Sequence, residues 1–493
     1  MANRTPFLSG FGPLLFGRGS KFTLKKVQAI RSLESLFEMF GDFVPARFLS
    51  KETKGVNSRE RELPPRVVIF WAFVSQVLDP GSSCREILRK VEAWWRCKCP
   101  HEDLPKALTT SAYCQARKRL GLDTIQLIKE HLVWTLERAV LEAEKWFGRD
   151  VRIVDGTGIS MPDTRENQAR WPQSSLQAPG CGFPQMKVVG LFSLASGALL
   201  AEAISSRKHD IKLARQLWSH LNQGDVLLGD RGFCAYSELA ALKVRGVDTV
   251  VRLHQARSAD LRQGKHLGEG DRLVTWKRPV KCPPDISQEE FAQMPETLEL
   301  RLIRLKVAVP AYRTKEVMVV TTLTDAEKYP AEEIRKLYGE RWQIELHFHQ
   351  IKVLQQMDVL RCKTPEMIEK ELQVHRVAYN LIRCFMQRAA HVHHKPLGRI
   401  SFKGAQDTVR QFASAIHACS SNRKKQDELI AQMLAIIAAD TVPERPGRSE
   451  PSASKRRPKN YQLLTKPRRL TGNLPRRNRP KTNESRTGRK TLS

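Results

Sequence analysis

The chain has 493 residues, with 83 Lys and Arg against 52 Asp and Glu, a formal charge of +31 and an isoelectric point near 10.0. That length can bury one or more large cores, and the charge points to a polyanion, nucleic acid before an anionic membrane. No apolar run approaches the roughly 20 residues that span a bilayer, and Phe7–Phe16 is broken by Gly10, Gly12 and Pro13 without the small-residue site of a signal peptide. The ten cysteines lack a disulfide or four-ligand zinc spacing, and Cys97-Lys98-Cys99-Pro100-His101 has no second pair, so free thiols in a reducing cytoplasm are expected.

Residues 1–24 are Gly-interrupted and read as a partly disordered leader. A helical region follows over 25–148, with an amphipathic helix over Lys25–Phe40 and a polar linker over 51–65. Three helical pieces come next, Arg66–Val77, Ser83–Trp95 and Thr110–Leu120, with Ser82 or Ser83 and Thr109 or Thr110 as caps. Such a set is compatible with a helix-turn-helix whose last piece offers Arg117, Lys118 and Arg119 to DNA. A longer helix, Thr124–Trp146, leads out of it.

From Val151 the pattern turns to short strands. Val151–Val154 runs into the turn-like Asp155-Gly156-Thr157-Gly158, and Gln185–Leu194 and Ala198–Ile204 flank a hairpin at Ala195-Ser196-Gly197. A helix from Asp210 to about Leu221 precedes a strand ending on Asp230. Helix Ser237–Arg245 and strand Thr249–Leu253 complete a three-strand, helix, strand, helix, strand order, which predicts an α/β fold with a ribonuclease-H-like catalytic core. That core is assigned to 149–255 and 315–360, with a β-rich insertion over 256–314. A strand at Val317–Leu323 precedes one helix from Pro330 through Lys352, which places Tyr338, Arg341, Glu345 and Lys352 on one edge and Leu337, Ile344, Phe348 and Ile351 on a neighbouring apolar stripe. A helical C-terminal region spans 361–440. The tail 441–493, with 16 Lys and Arg against 3 Asp and Glu, reads as a disordered polycation.

Asp155 and Asp230 would each pass for an ordinary turn residue. Together with Glu345 in a basic protein they gain another meaning. Three converging carboxylates repel or protonate unless positive charge sits between them, and hard divalent cations supply it. Two such ions can clamp the attacking and leaving oxygens of an in-line phosphodiester displacement.

VDGTG, GDRGF and Tyr338-x2-Arg341-x3-Glu345-x6-Lys352 resemble the three motifs of DDE transposases of bacterial insertion sequences. The last resembles the Y-R-E-K signature of insertion sequence family four. The likeness covers about 151–360, and the segments Val74–Leu78 and Ser83–Glu86 are similar to that family's helical leader. The resemblance implies cut-and-paste transposition through a DNA hairpin, with Asp155, Asp230 and Glu345 as ligands of two Mg2+ ions for which Mn2+ can substitute. It implies phosphate contacts from Tyr338, Arg341 and Lys352. The implied partners are transposon-end and target DNA and a second copy of the chain in the synaptic complex, without a membrane, in the nucleoid of a bacterial cytoplasm.

A hairpin needs a base swung out against an aromatic face, for which Trp276 and Trp342 are candidates. Arg231 and His349 are further candidates for phosphate. The alternatives are a decayed or non-enzymatic DNA-binding protein and a nuclease of the same fold that cuts without joining. A glycosidase built on paired carboxylates gives the basic excess no role.

Overall fold

The computed structural model describes residues 66–79, 81–98, 109–206, 210–257, 261–283, 286–306, 316–419 and 422–443, with Phe40, Phe43, Val44 and Phe48. The expected leader, all but the last residue of the Lys25–Phe40 helix, the 51–65 linker and the basic tail past 443 lie outside the described residues.

Four helices open the described chain: α1 (Arg66–Leu78), α2 (Cys84–Lys98), α3 (Thr110–Arg119) and α4 (Leu122–Arg138). Helix α1 is apolar nearly all round, and its run Val68–Val74 is buried, as such a helix requires. Ser83 and Thr109 cap the next two, their hydroxyls accepting from the amides of Glu86 and Ala112, both at 3.1 Å. Helix α4 stops at Arg138, short of the expected Trp146. The chain then turns through Phe147 and Gly148, both left-handed at φ +50° and +69°.

Among the described residues nine strands form one sheet: β1 (Val151–Ser160), β2 (Gln185–Ser193), β3 (Leu199–Ser205), β4 (Val226–Gly229), β5 (Asp248–Arg252), β6 (Lys265–Gly268), β7 (Asp271–Lys277), β8 (Thr297–Lys306) and β9 (Glu316–Thr321). Their spatial order is β3-β2-β1-β4-β5-β9-β8-β7-β6. Only β1–β4 and β4–β5 pair in parallel. The hairpin expected between β2 and β3 turns on Gly197, left-handed at φ +66°. The strands of the 256–314 segment extend this same sheet, with β9 inserted between β5 and β8. Arg301 of β8 fastens the extension, its guanidinium donating to Asp271 and to the carbonyl of Tyr329.

Short helices α5 (Arg165–Arg170), α6 (Asp210–Ala214), α7 (Tyr236–Val244) and α8 (Gln288–Gln293) fill the connections. The helix expected over Asp210–Leu221 tightens to 3-10 geometry from Arg215. Then come α9 (Ala331–Glu340), α10 (Gln343–His349), a π turn over Gln350–Leu354, α11 (Pro365–Val392), α12 (Phe402–Ala418) and α13 (Arg423–Ala439). The sheet separates two cores. Ile153, Leu228 and Val250 face one, shared with α9, α10 and α11; Val154, Leu227 and Val251 face the other, shared with α6 and α7.

Candidate active site

Sheet register brings the two aspartates together. Ile153 pairs with Leu228 and Leu228 with Val250 across the parallel strands. Two residues further along each chain stand Asp155, Asp230 and Arg252, level with one another on neighbours about 4.8 Å apart. Side chains alternate along a strand, so all three point to the face of Ile153, Leu228 and Val250, where α9 and α10 pack. The sequence separation of the two acids equals the β1–β4 register offset.

Asp155 lies within a strand, not in the turn expected after Val154: β1 continues to Ser160, and Asp155 stands opposite Gly190 of β2. Each aspartate has one anchored oxygen. Gly156 N–H donates to Asp155 Oδ1 at 2.7 Å, and Gly232 N–H to Asp230 Oδ1 at 2.7 Å. The second oxygen of each carboxylate retains its accepting capacity.

Gly190 lies where α10 packs on β2. A Cβ there would lie 2.8 Å from the Phe192 ring, 3.3 Å from Leu199 and 3.4 Å from the Phe348 ring of α10, so the bare backbone leaves room chiefly for Phe192 and Leu199 beneath that helix. Glu345 sits one turn before Phe348, on the solvent edge. The rod that carries it differs from the single helix expected through Lys352. The amides of Arg341, Trp342, Ile344 and Glu345 bond carbonyls three residues back, at 3.0–3.3 Å, which tightens the rod between α9 and α10. Beyond His349 it widens, and Gln355 N–H reaches Gln350 O at 3.1 Å.

Arg341 occupies the tightened stretch. Its guanidinium lies 4.0 Å from Asp155 Oδ2 and 3.6 Å from Glu345 Oε1. Tyr338 is buried beneath, its ring centroid 6.0 Å from that guanidinium, and burial pushes its phenol pKa up. Lys352 Nζ donates to Thr157 Oγ1 at 2.8 Å, two residues past Asp155, and burial pulls the amine pKa down. Burial lifts the Asp155 carboxyl to about 6, and the charges of Asp230 and Glu345 add to the rise while Gly156 N–H and Arg341 oppose it. The three acids therefore share one electrostatic field.

Other sequence candidates lie elsewhere. Arg117 is 7 % exposed, bonded to Gln76 Oε1 at 3.1 Å and packed over the rings of Phe73 and Tyr113, so it faces a core instead of DNA. Lys118 and Arg119 are exposed on the same helix. Trp276 packs against the second core, on the sheet face away from the acids, with the Arg257 guanidinium 3.9 Å over its ring. Arg231 is exposed and donates to Gln255 Oε1 at 2.9 Å. Trp342 is 50 % exposed at the α9–α10 bend, and His349 is exposed further along. Sequence reasoning passed over Arg252, Thr157 and Gly190. Arg252 could have been found by asking which residue closes the third parallel strand at the level of the two acids.

Among the described residues no three His, Cys, Asp or Glu side chains close on one point as a bound ion requires. Arg341 stands between two of the acids instead. Carboxylate oxygens are the donor type that a hard divalent cation takes, and burial raises the pKa of Asp155 despite the nearby Arg341.

A family model described as Transposase DDE domain matches residues 146–381, and one described as Insertion element 4 transposase N-terminal matches 35–129. The transposase InsG for insertion sequence element IS4 of Escherichia coli K12 is 26% identical over 450 residues, covering 90% of this chain and 97% of that protein. The putative transposase InsL for insertion sequence element IS186A of the same strain is 38% identical over 270 residues, covering 49% and 67%. A piggyBac transposase in a synaptic complex with hairpin DNA aligns over 87% of this chain and 88% of its own, at 9% identity and a TM-score of 0.41. No helix among the described residues is long and apolar enough to cross a membrane. With both halves of the family pattern matched, and a relative spanned almost end to end, the chain belongs to the DDE transposases of insertion sequences of the IS4 type, enzymes that cut DNA and transfer its strands.

Proposed function

We propose that Asp155, Asp230 and Glu345 form the reaction centre of this transposase, in a ribonuclease-H-like core, and that the enzyme moves its element by cut and paste through a DNA hairpin. The observation that carries this reading is the register: a 75-residue offset sets Asp155 and Asp230 side by side, and Arg341 spans from Asp155 to Glu345. The three carboxylates would hold two Mg2+ ions, with Mn2+ as a substitute. The ions would activate water or a 3′-hydroxyl and neutralise the departing oxygen.

The remaining work falls to side chains of this chain. Arg341, whose fork matches a phosphate's oxygens, trades its place between Asp155 and Glu345 for the phosphate beside the scissile bond. Lys352, held by Thr157, adds a point charge on the same strand, and Tyr338 donates one hydrogen bond. Arg252, level with both aspartates, offers a third positive group. Arg231, Lys118 and Arg119 contact the flanking DNA backbone. Trp342, half exposed at the bend, is the better placed of the two tryptophans to receive an unstacked base. Water attacks first, the freed 3′-hydroxyl then attacks the opposite strand, and reopening of that hairpin frees the end for joining. Two copies of the chain assemble on paired ends, in the nucleoid of the bacterial cytoplasm.

Glu345→Ala tests the assignment on labelled duplex carrying the element's own end, in Mg2+ or Mn2+. The variant should bind that duplex as wild type does and nick it at least about a hundredfold more slowly. Cleavage at the wild-type rate would remove Glu345 from the mechanism.

A further inference from the structure

Beyond the acids, β1 and β2 continue past the end of β4, with β3 still paired to β2 as far as Lys187. A large cleft of about 1750 Å³ opens there, bordered by Gly158 of β1, Lys187 of β2, Arg165 of α5 and the loop 172–182. It is larger than the pockets of roughly 300–1,000 Å³ that take small molecules. Gly158 lies three residues from Asp155, or about 10 Å along a strand. That distance corresponds to about three base pairs of duplex.

The loop is held unusually firmly for a surface segment. The single side chain of Gln173 makes four hydrogen bonds: its Nε2 donates to the carbonyls of Gln177 and Ala178 at 3.1 and 2.9 Å, and its Oε1 accepts from the amides of Gly180 and Gly182, both at 3.0 Å. These saturate the amide. Gln168 anchors the base of the loop, accepting from Gln173 N–H and donating to Gly182 O, both at 3.0 Å. The tip of this stapled loop carries Leu176, 94 % exposed between the cleft-lining Ser175 and Gln177. A lone exposed leucine on a slack loop needs no explanation. A leucine held out from a stapled loop, beside a cleft rimmed by Arg165 and Lys187 and three residues along β1 from Asp155, has the form of an apolar wedge.

We propose that the loop 172–182 grips the DNA a few base pairs from the scissile phosphate and that Leu176 enters the base stack there, opening one step. This rests on the reading of Asp155, Asp230 and Glu345 as the reaction centre. Arg165 and Lys187 hold the backbone on either side, Gln173 keeps the loop stiff, and Leu176 replaces the stacking that the opened step loses.

The test uses the full-length chain and duplexes carrying the element's own end, with 2-aminopurine placed in turn at each position flanking the scissile phosphate. Divalent ions are withheld so that no strand is cut. Wild type should brighten the probe several-fold at one step; Leu176→Ala should abolish that signal, and Leu176→Met should restore most of it. With divalent ions, Leu176→Ala should cut paired end DNA at least about tenfold more slowly, and a mispair built in at the same step should recover the rate. Gln173→Ala, which slackens the loop without touching Leu176, should give an intermediate signal. An unchanged signal in Leu176→Ala, or no rescue by the mispair, overturns the wedge. Asp155→Asn serves as the separate control: it should brighten the probe and cut nothing, and cutting by this variant overturns the acid assignment while the fluorescence still decides the wedge.

Discussion

Arg117 on α3 and Arg341 at the α9–α10 bend come from closely similar sequence settings. Each stands on an amphipathic helix one turn after a tyrosine, with its guanidinium over that ring, at 4.9 Å from Tyr113 and 6.0 Å from Tyr338. Their surroundings differ. Arg117 is enclosed by Phe73, Tyr113 and Gln76, with the thiols of Cys84 and Cys114 3.8 and 3.5 Å from Nη2. Arg341 faces the carboxylates of Asp155 and Glu345, the second of them exposed to solvent. Helical periodicity puts both on a defined face; what that face meets decides whether the charge joins two helices or serves a substrate.

Paired substitutions give the largest expected effect. Arg341→Ala should slow end cleavage by about 10²- to 10³-fold, as loss of a group that stabilises developing charge does. Its cost in stability should stay near 0–1 kcal/mol, because its partner Glu345 is well exposed. Arg117→Ala should do the reverse. It deletes a buried hydrogen bond and two cation–π contacts, a loss of about 2–4 kcal/mol in urea unfolding, while the folded fraction cuts within a few-fold of wild type. A catalytic defect in Arg117→Ala at full stability would return α3 to the DNA interface and erase the contrast.

The glycines sharpen the same point at smaller cost. Gly190→Ala forces a Cβ against Phe192 and Leu199 beneath α10, which should cost about 1–3 kcal/mol and, by shifting the packing under the helix that bears Glu345, slow cleavage several-fold. Gly339→Ala, on α9 with nothing within 4 Å of its added carbon, should instead stabilise the chain by up to about 1 kcal/mol. Thermal unfolding and end cleavage on the two proteins separate close approach from simple helix propensity.

How far the sequence could be read depends on which forces are local. Caps and periodicity placed α2, α3 and the strands from β2 to β5 near their observed bounds, because those signals lie within a few residues of what they control. The pairing of Asp155 with Asp230 was legible as chemistry. Its cause, a parallel register, depends on strands 75 residues apart and has no local signature. The same applies to β1, which looked finished at Val154 because VDGTG is turn-like, yet runs to Ser160 because β2 pairs along its whole length. Arg117 is buried through α1, by Phe73 and Gln76, a contact with no signature in the sequence of α3 itself. The break between α9 and α10 has no residue signature, because Arg341 and Trp342 keep right-handed dihedrals and change only which carbonyl their amides reach.

The smallest expected effect is thermodynamic and concerns the charge that Arg341 supplies to the acids. With its pKa raised to about 6, Asp155 keeps a proton between about pH 4 and pH 6 that the unfolded chain has already released. The folded state binds more protons in that window, so its contribution to stability is present below about pH 4 and is lost as pH rises through about 6. A divalent cation favours the ionised carboxylate and should therefore offset that loss only where Asp155 is ionised. Millimolar Mn2+ should raise the melting temperature by about 2 °C near pH 7.5 and by almost nothing near pH 5. Arg117→Ala, though less stable, should keep the same cation-dependent increment, because its guanidinium packs over Phe73 and Tyr113 and bonds Gln76, touching none of the three acids. Asp155→Asn should lose both the increment and the pH dependence. An increment equal at the two pH values, or one that survives in Asp155→Asn, would place the cation away from the three acids and leave Arg341 as the counter-charge between Asp155 and Glu345.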